Sequence, residues 1–397
     1  MALKNDIIVT LSDGGIGRLA SGKDYYTGVI FQGTKPVGYG TDSIKRVYSL
    51  AQAVGYGITE AAFPVEYYHV SEYFRILSKF RVSGFLDVMF SAIGTGLFDG
   101  TEITTICKNS NYELRQVGVF LIDPFASGFV TAANTKAQAL DDAGYPVSVV
   151  LACDFANFTT PTDLKALDKK WVSTCIGQDG GGVGTTLFAS EGYSITCLGA
   201  MLGTIAAAKV SENIGYVEKF DVSGVTELQT LALCDGTLVN TLTDAQIDAL
   251  NDEGYTLLVN RRVAGSYFYD DPTGGIETSD YTYLSNVRAI SKAKRLLLQY
   301  LAPLQNMPLF VNASTGLMNE QTIGKFTAKC QEALNNMAVN QELQVDQSTG
   351  RIPDGSISID PTQNVLTTSK VAILVRIQPI GVARMIDVNL GFTVKNN

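Results

Sequence analysis

The residues Gly17-Arg-Leu-Ala-Ser-Gly22-Lys23 have the GxxxxGK spacing of a phosphate-binding loop. Such a loop cradles phosphates with backbone amides, and its next position offers a neutral hydroxyl to the metal ion. Here that position is Asp24, an acid that would sit against the phosphates. The following residues, Tyr25 to Phe31, read as a strand, whereas the motif needs a helix N-terminus to hold the anion. A flexible loop is the better account. The second glycine cluster, Gln178 to Thr185, has no lysine and misses the GxGxxG spacing, so it reads as a mobile loop or tight turn. The acid pairs Asp141-Asp142 and Asp270-Asp271 would need further oxygen ligands to hold a hard cation, and they read as solvated acids.

The chain has one histidine, His69, so clusters of several histidines around zinc are excluded. It lies among Tyr67, Tyr68, Val70, Tyr73, Phe74 and Leu77 on an amphipathic helix, the setting of a packed side chain. The six cysteines, Cys107, Cys153, Cys175, Cys197, Cys234 and Cys330, include no CxxC pair and read as buried thiols in a reducing compartment. No serine, threonine or cysteine is marked as a nucleophile. The expectation is a chain with no catalytic residues, no cofactor and no metal: not an enzyme.

The 397 residues allow two or three domains. Lys+Arg is 30 and Asp+Glu is 39, a net charge of −9 that speaks against direct nucleic-acid binding. Charged residues make up only 17% and apolar ones 46%, an ordered composition with a surface short of charge, as if covered by something else. No secretory signal is expected at the start. The longest apolar stretch, Ile195 to Ala208, is too short for a bilayer, which takes about 20 residues, so no membrane insertion is expected. Its Gly199-xxx-Gly203-xxx-Ala207 stripe suits close packing in a core.

Ile7, Val9 and Leu11 alternate with Ile8, Thr10 and Ser12 as in a strand, ended by Asp13-Gly14-Gly15. Residues 25–40 suggest a hairpin. From Ser43 a helical period places Ile44, Val47, Leu50 and Ala51 on one face, with Asp42 or Ser43 as cap. A helix follows Pro64, Phe85–Phe90 reads as a buried strand, and another strand closes near Val147–Ala152. This alternation, from Tyr25 to about Pro272, predicts an α/β layer arrangement. Thr243-Asp-Ala-Gln246 is a capping box, and residues 270–280 are a turn-rich joint.

Beyond the joint, Tyr283, Val287, Ile290, Leu297 and Leu301 mark a long amphipathic helix carrying Arg288, Lys292, Lys294 and Arg295. A second helix begins near Asn319, with Ile323, Phe326, Cys330, Leu334 and Met337 inward. Val371, Ile373, Val375 and Ile377 alternate as a strand. After Gly381 a last strand places Ile386, Val388, Leu390, Phe392 and Val394 on one face. Burying those five would contribute roughly 8–15 kcal/mol gross, less the costs of association.

The helix with Asn286-Val287-Arg288, the Pro303–Pro308 joint, the helix Asn319–Met337, the turns around Gly350–Gly355 and the two closing strands resemble, in that order, the C-terminal domain of contractile tail sheath proteins. Leu250-Asn-Asp-Glu-Gly254 is similar to the family's "Leu-Asn-x-x-Gly" helix end, and Ser194–Gly215 resembles the small-residue helix before it. The likeness covers roughly residues 190–397. Tyr267-Phe268-Tyr269 departs from it, standing where the family often carries Arg-Thr.

The resemblance implies an α+β, two-domain fold, the inner domain built from both chain ends with an α/β outer domain inserted. Residues 1–24 would be an N-terminal extension strand and linker, 25–274 the outer domain, 275–380 the inner domain and 381–397 a C-terminal extension strand. It further implies hexameric rings stacked around an inner tube protein, contacts with baseplate and tail terminator proteins, and a place in a virion tail or in an injection particle assembled in the bacterial cytoplasm. Subunits would interlock by exchanging terminal strands, through Ile7, Val9, Leu11, Ile386, Val388, Leu390, Phe392 and Val394. Arg288, Lys292, Lys294, Arg295, Lys325 and Lys329 are candidates to face an acidic tube; a solvated basic face is the alternative.

Overall fold

The computed structural model describes residues 24–155, 158–312, 314–386 and 388. Its centre is a seven-stranded sheet in the order β2-β3-β1-β4-β5-β6-β9. The strands are β1 (Thr27–Gln32), β2 (Ile44–Val47), β3 (Leu86–Ser91), β4 (Gln116–Pro124), β5 (Ser148–Asp154), β6 (Val172–Cys175) and β9 (Tyr255–Thr256). All neighbours pair in parallel except β2, which runs antiparallel to β3 at one edge. Parallel sheets are covered on both faces and therefore read as continuous apolar runs. That is why β1, Thr-Gly-Val-Ile-Phe-Gln, is buried at every position.

Residues 25–40 are therefore not a hairpin. Their aromatic and glycine content serves a central strand pinched between two layers. A Cβ on Gly28 would meet Ile106 and Leu114 on one face, and a Cβ on Gly118 would meet Leu198 and Leu202 on the other. The helix expected from Ser43 is corrected too. Ile44–Val47 is the edge strand β2, and helix α1 (Leu50–Gly55) begins only after Ser49, whose hydroxyl accepts from the Gln52 amide.

Helix α2 (Pro64–Lys79) starts on its proline, and α3 (Thr101–Asn109) and α4 (Ser127–Asp142) follow β3 and β4. The glycine segment expected to be a mobile loop or tight turn does turn at Gly180-Gly181, but between a buried strand, β7 (Gly177–Asp179), paired with β8 (Leu231–Leu233), and helix α5 (Val183–Glu191). Helix α6 (Leu198–Ala207) is buried over nearly its whole length. Its glycine stripe lies on α2: a Cβ on Gly203 would come within 2.8 Å of Ile76 Cβ. Helix α7 (Asp244–Asp252) carries the full capping box between Thr243 and Gln246, and β10 (Leu258–Asn260) pairs with β11 (Ser266–Phe268).

The C-terminal third is built on α8 (Leu284–Leu301) and α9 (Glu320–Val339), the latter capped by the Asn319 side chain. Two small clusters fill it, one around Ala293, Leu296, Leu334 and Met337, the other around Leu304, Met318, Phe326 and Ile359. A short helix, α10 (Val365–Thr368), lies between β12 (Ile357–Ser358) and β13 (Leu374–Val375), which pair antiparallel. Only that short piece of the Val371–Ile377 alternation is ladder-paired, although Val371, Ile373, Val375 and Ile377 are all partly buried.

Candidate functional site

The joint places two acids where none was expected to be covered. Asp270 and Asp271 are buried, at 6% and 1% exposure, not solvated. Asp271 caps α8, its carbonyl accepting from the Leu284 amide at 2.7 Å and its Oδ2 from the Ser285 amide at 2.8 Å. Arg384 reaches back to both acids: Nε donates to Asp270 Oδ2 at 2.8 Å and Nη2 to Asp271 Oδ1 at 3.2 Å. Its guanidinium lies 3.3 Å from the centre of the Tyr283 ring, and Asn213 Nδ2 donates to both carboxylates. Burial, then the neighbouring Asp270 charge, pushes the Asp271 carboxyl up to about 7, against the pull of Arg384.

Further along α8 the basic run meets its partners inside the molecule. Lys292 pairs with Asp24 and Glu342, each at 2.6 Å, and Arg295 with Asp24 at 2.7 Å. Burial raises the Asp24 carboxyl, but Arg295 and Lys292 outweigh it and hold the group below its usual range. Burial, then the charge of Arg115, lowers Arg295 to about 9. Arg288 is buried and donates to the carbonyls of Ile205, Ala208 and Lys209 at 2.8–3.1 Å, so that it closes the C-terminal end of α6. A cation there satisfies orphan carbonyls and the negative end of the helix dipole.

Arg288, Lys292 and Arg295 thus turn inward, and the continuous basic face anticipated for this helix does not form. Its acidic partners, at positions 24 and 342, are distant in sequence. Lys294 is half-buried beside Asp141 at 2.9 Å. Lys325 is exposed and contacts Met307 Sδ at 2.8 Å, and Lys329 pairs with Glu332 at 2.6 Å. Of the candidate interlocking residues, Ile386 and Val388 are exposed by 79% and 73% and lie near exposed Met385, with no ladder partner among the described residues. Ile7, Val9, Leu11, Leu390, Phe392 and Val394 lie outside the described residues, as does the Gly17–Lys23 loop. The interlocking and tube-facing roles remain expectations at this point.

In doubly wound sheets, ligands bind outside the carboxyl ends of the strands where the order reverses. Here that place, beyond β1 and β4, is filled by the protein's own groups. Gln32 Nε2 donates to buried Asp123 Oδ2 at 3.0 Å, and the Gly96 amide donates to the same oxygen at 2.9 Å. His69 is packed against the rings of Phe31, Tyr68 and Phe120, and burial lowers it to about 3. The six cysteines are buried and free. Among the described residues, no group of histidine, cysteine and acid side chains is placed to hold a metal, and no helix is long and apolar enough to cross a membrane.

The family model for the DUF2586 N-terminal domain matches residues 101–271, and that for the DUF2586 C-terminal domain matches residues 280–397. No curated protein matches the chain in sequence. Among solved structures, a chain of the anti-feeding prophage (AFP) helical sheath in its contracted state is 14% identical with a TM-score of 0.60, covering 97% of this chain and 99% of that one. A chain of the AFP baseplate, 6-fold symmetrised, is 13% identical with a TM-score of 0.61 over 99% and 100%. The sheath tail protein of Desulfitobacterium hafniense is 11% identical with a TM-score of 0.54 over 94% and 100%. At such identities the likeness establishes the fold. The chain is thus similar to the two DUF2586 domains over residues 101–271 and 280–397, and has the fold of contractile tail sheath proteins.

Proposed function

We propose that this chain is the sheath subunit of a contractile tail or injection particle. It polymerises as stacked hexameric rings around an inner tube, interlocks by terminal strand exchange, and contracts to drive the tube through a target envelope. The single observation that carries the reading is the near full-length likeness to a chain of a contracted helical sheath. The uncovered apolar residues Met385, Ile386 and Val388 support the interlocking part. An added strand gains main-chain hydrogen bonds that survive rigid-body rotation of the subunit bodies, as a contracting lattice requires. In this reading residues 25–274 form the outer domain and 275–380 the inner one. Lys325 and Lys329, with half-buried Lys294, are the tube-facing candidates that solvent still reaches. Exposed ion pairs of that kind contribute little each, which suits a surface that must hold the tube and release it. Baseplate and tail terminator proteins would border the ends of the lattice.

Negative-stain microscopy of the purified full chain with its cognate tube protein tests the reading. Striated hollow cylinders are expected; smooth thin tubes or discrete particles would refute it. The likeness to a chain of the AFP baseplate favours a second reading, a ring-forming baseplate or tube component. Discrete six-fold particles that do not extend with added protein would establish that reading instead.

A further inference from the structure

We propose that helix α8 is the common anchor of the chain's two terminal segments, with Asp24 and Arg384 as the roots from which they leave the body. Each root is held by two ion pairs. Arg384 is clasped by Asp270 and Asp271 and lies over Tyr283, all at the start of α8. Asp24 is clasped by Lys292 and Arg295, within α8 itself. At 1.5 Å per residue, Lys292 and Arg295 stand roughly 10–15 Å along the helix from Ser285. The two roots are therefore fixed to one rigid rod, close together, although 360 positions separate Asp24 and Arg384 in the chain.

Removing either root leaves like charges side by side under cover. Without Arg384, Asp270 and Asp271 face each other under cover, with Asn213 as their remaining side-chain donor. Without Asp24, Lys292 and Arg295 stand beside Arg288 and Arg115, with Glu342 the remaining bonded acid. Breaking one partner of a covered pair is the costly direction. Among the described residues Arg384 is the last side chain ion-paired to the body, and the exposed apolar Met385 and Ile386 follow it directly. The mechanical meaning rests on the sheath reading: pull from a sister copy on one terminal segment passes through α8 to the other, and the central sheet is not loaded.

Two measurements on the unassembled full chain test the anchor. Because all six cysteines are buried, Met385→Cys accepts a nitroxide label selectively. Arg384→Gln is expected to raise the mobile fraction of that label about tenfold, as losing a charged hydrogen-bond set implies, with Arg384→Lys intermediate. In optical-tweezer pulling from the two ends, Arg384→Gln and Asp24→Asn should each lower the first rupture force and lengthen the initial extension. The later unfolding of the sheet should be unchanged. If Asp24→Asn does not fold, the pair Asp24→Asn with Arg295→Met removes the cation left without an acid, Lys292 keeping Glu342, and serves instead. An unchanged label or an unchanged first rupture overturns the anchor. Neither readout needs polymer, so a failure to form striated cylinders counts against the sheath reading alone.

Discussion

Replacing Gly199 with alanine should be among the most damaging single-methyl changes available to this protein. Helices α2 and α6 approach so closely that a Cβ at position 199 would overlap the carbonyl oxygen of His69 and come within 2.7 Å of its carbon. The obstructing atoms are backbone, so no rotamer change relieves them, and the helices must separate by about 1 Å to restore ordinary contact. A gap of that size forfeits a quarter to a half of each dispersion contact it opens. The seam includes Tyr73, Ile76, Leu198, Met201 and Leu202, all at 1% exposure or less. Overpacking usually costs about 1–3 kcal/mol, and this geometry belongs at or above the upper end. At about 3 kcal/mol the urea midpoint of the subunit should fall by roughly 1 M. Gly324→Ala is the control, because a Cβ there meets nothing within 4 Å in the exposed part of α9. It should stabilise by about 0.5–1 kcal/mol. If Gly199→Ala shifted the midpoint by no more than the control, the close helix seam would be refuted.

Arg288→Met should cost about 2–4 kcal/mol, since the carbonyls of Ile205, Ala208 and Lys209 would lose a charged donor; denaturant melts of the two proteins measure it. Asp87→Ala should cost about 3–5 kcal/mol by leaving Arg46, paired to it at 2.7 Å, without its buried acid. The folded Asp271 carboxyl is raised to about 7, so the native state holds a proton the unfolded chain has released above its ordinary range. Stability from this group is therefore lost as pH rises from about 4 to about 7, at no more than about 1.4 kcal/mol per unit. Asp271→Asn should flatten that slope in thermal melts taken across the window. His69 runs the other way: lowered to about 3, it is neutral when folded, so its contribution is present above about 6.5 and lost as pH falls. His69→Phe should be at least as stable as the parent at pH 7 and clearly more stable at pH 5.

Local signals carried the helices well. The proline that opens α2, the Thr243–Gln246 box and the Asn319 cap each act within one turn, and each helix starts where its signal stands. The glycine stripe of α6 was legible because small residues at a spacing of four can only mean close approach. The failures share a cause in partners remote in sequence. Gly28, Gly33 and the neighbouring tyrosines resemble turn chemistry until β3 and β4 are laid on both sides of β1. Asp270 and Asp271 look solvated because Arg384 lies more than 110 residues downstream. Arg288 and Arg295 look like a wetted face because their acceptors, the end of α6 and Asp24, leave no mark near 288–295. The segment at 178–185 shows the same limit: its turn at Gly180-Gly181 is legible, but the buried strand before it and the helix after it are not.

The pairing of Asp24 with Lys292 and Arg295, 268 and 271 positions downstream, has a consequence during biosynthesis. At roughly 5–20 residues per second, the ribosome delivers the matching cations some 15–50 s after the acid has emerged. Through that interval Asp24 lacks its two cations, while the β1–β6 layer can already condense. The emergence of this stretch of α8, ahead of the last hundred or so residues, is then the moment at which Asp24 becomes committed to its parent molecule.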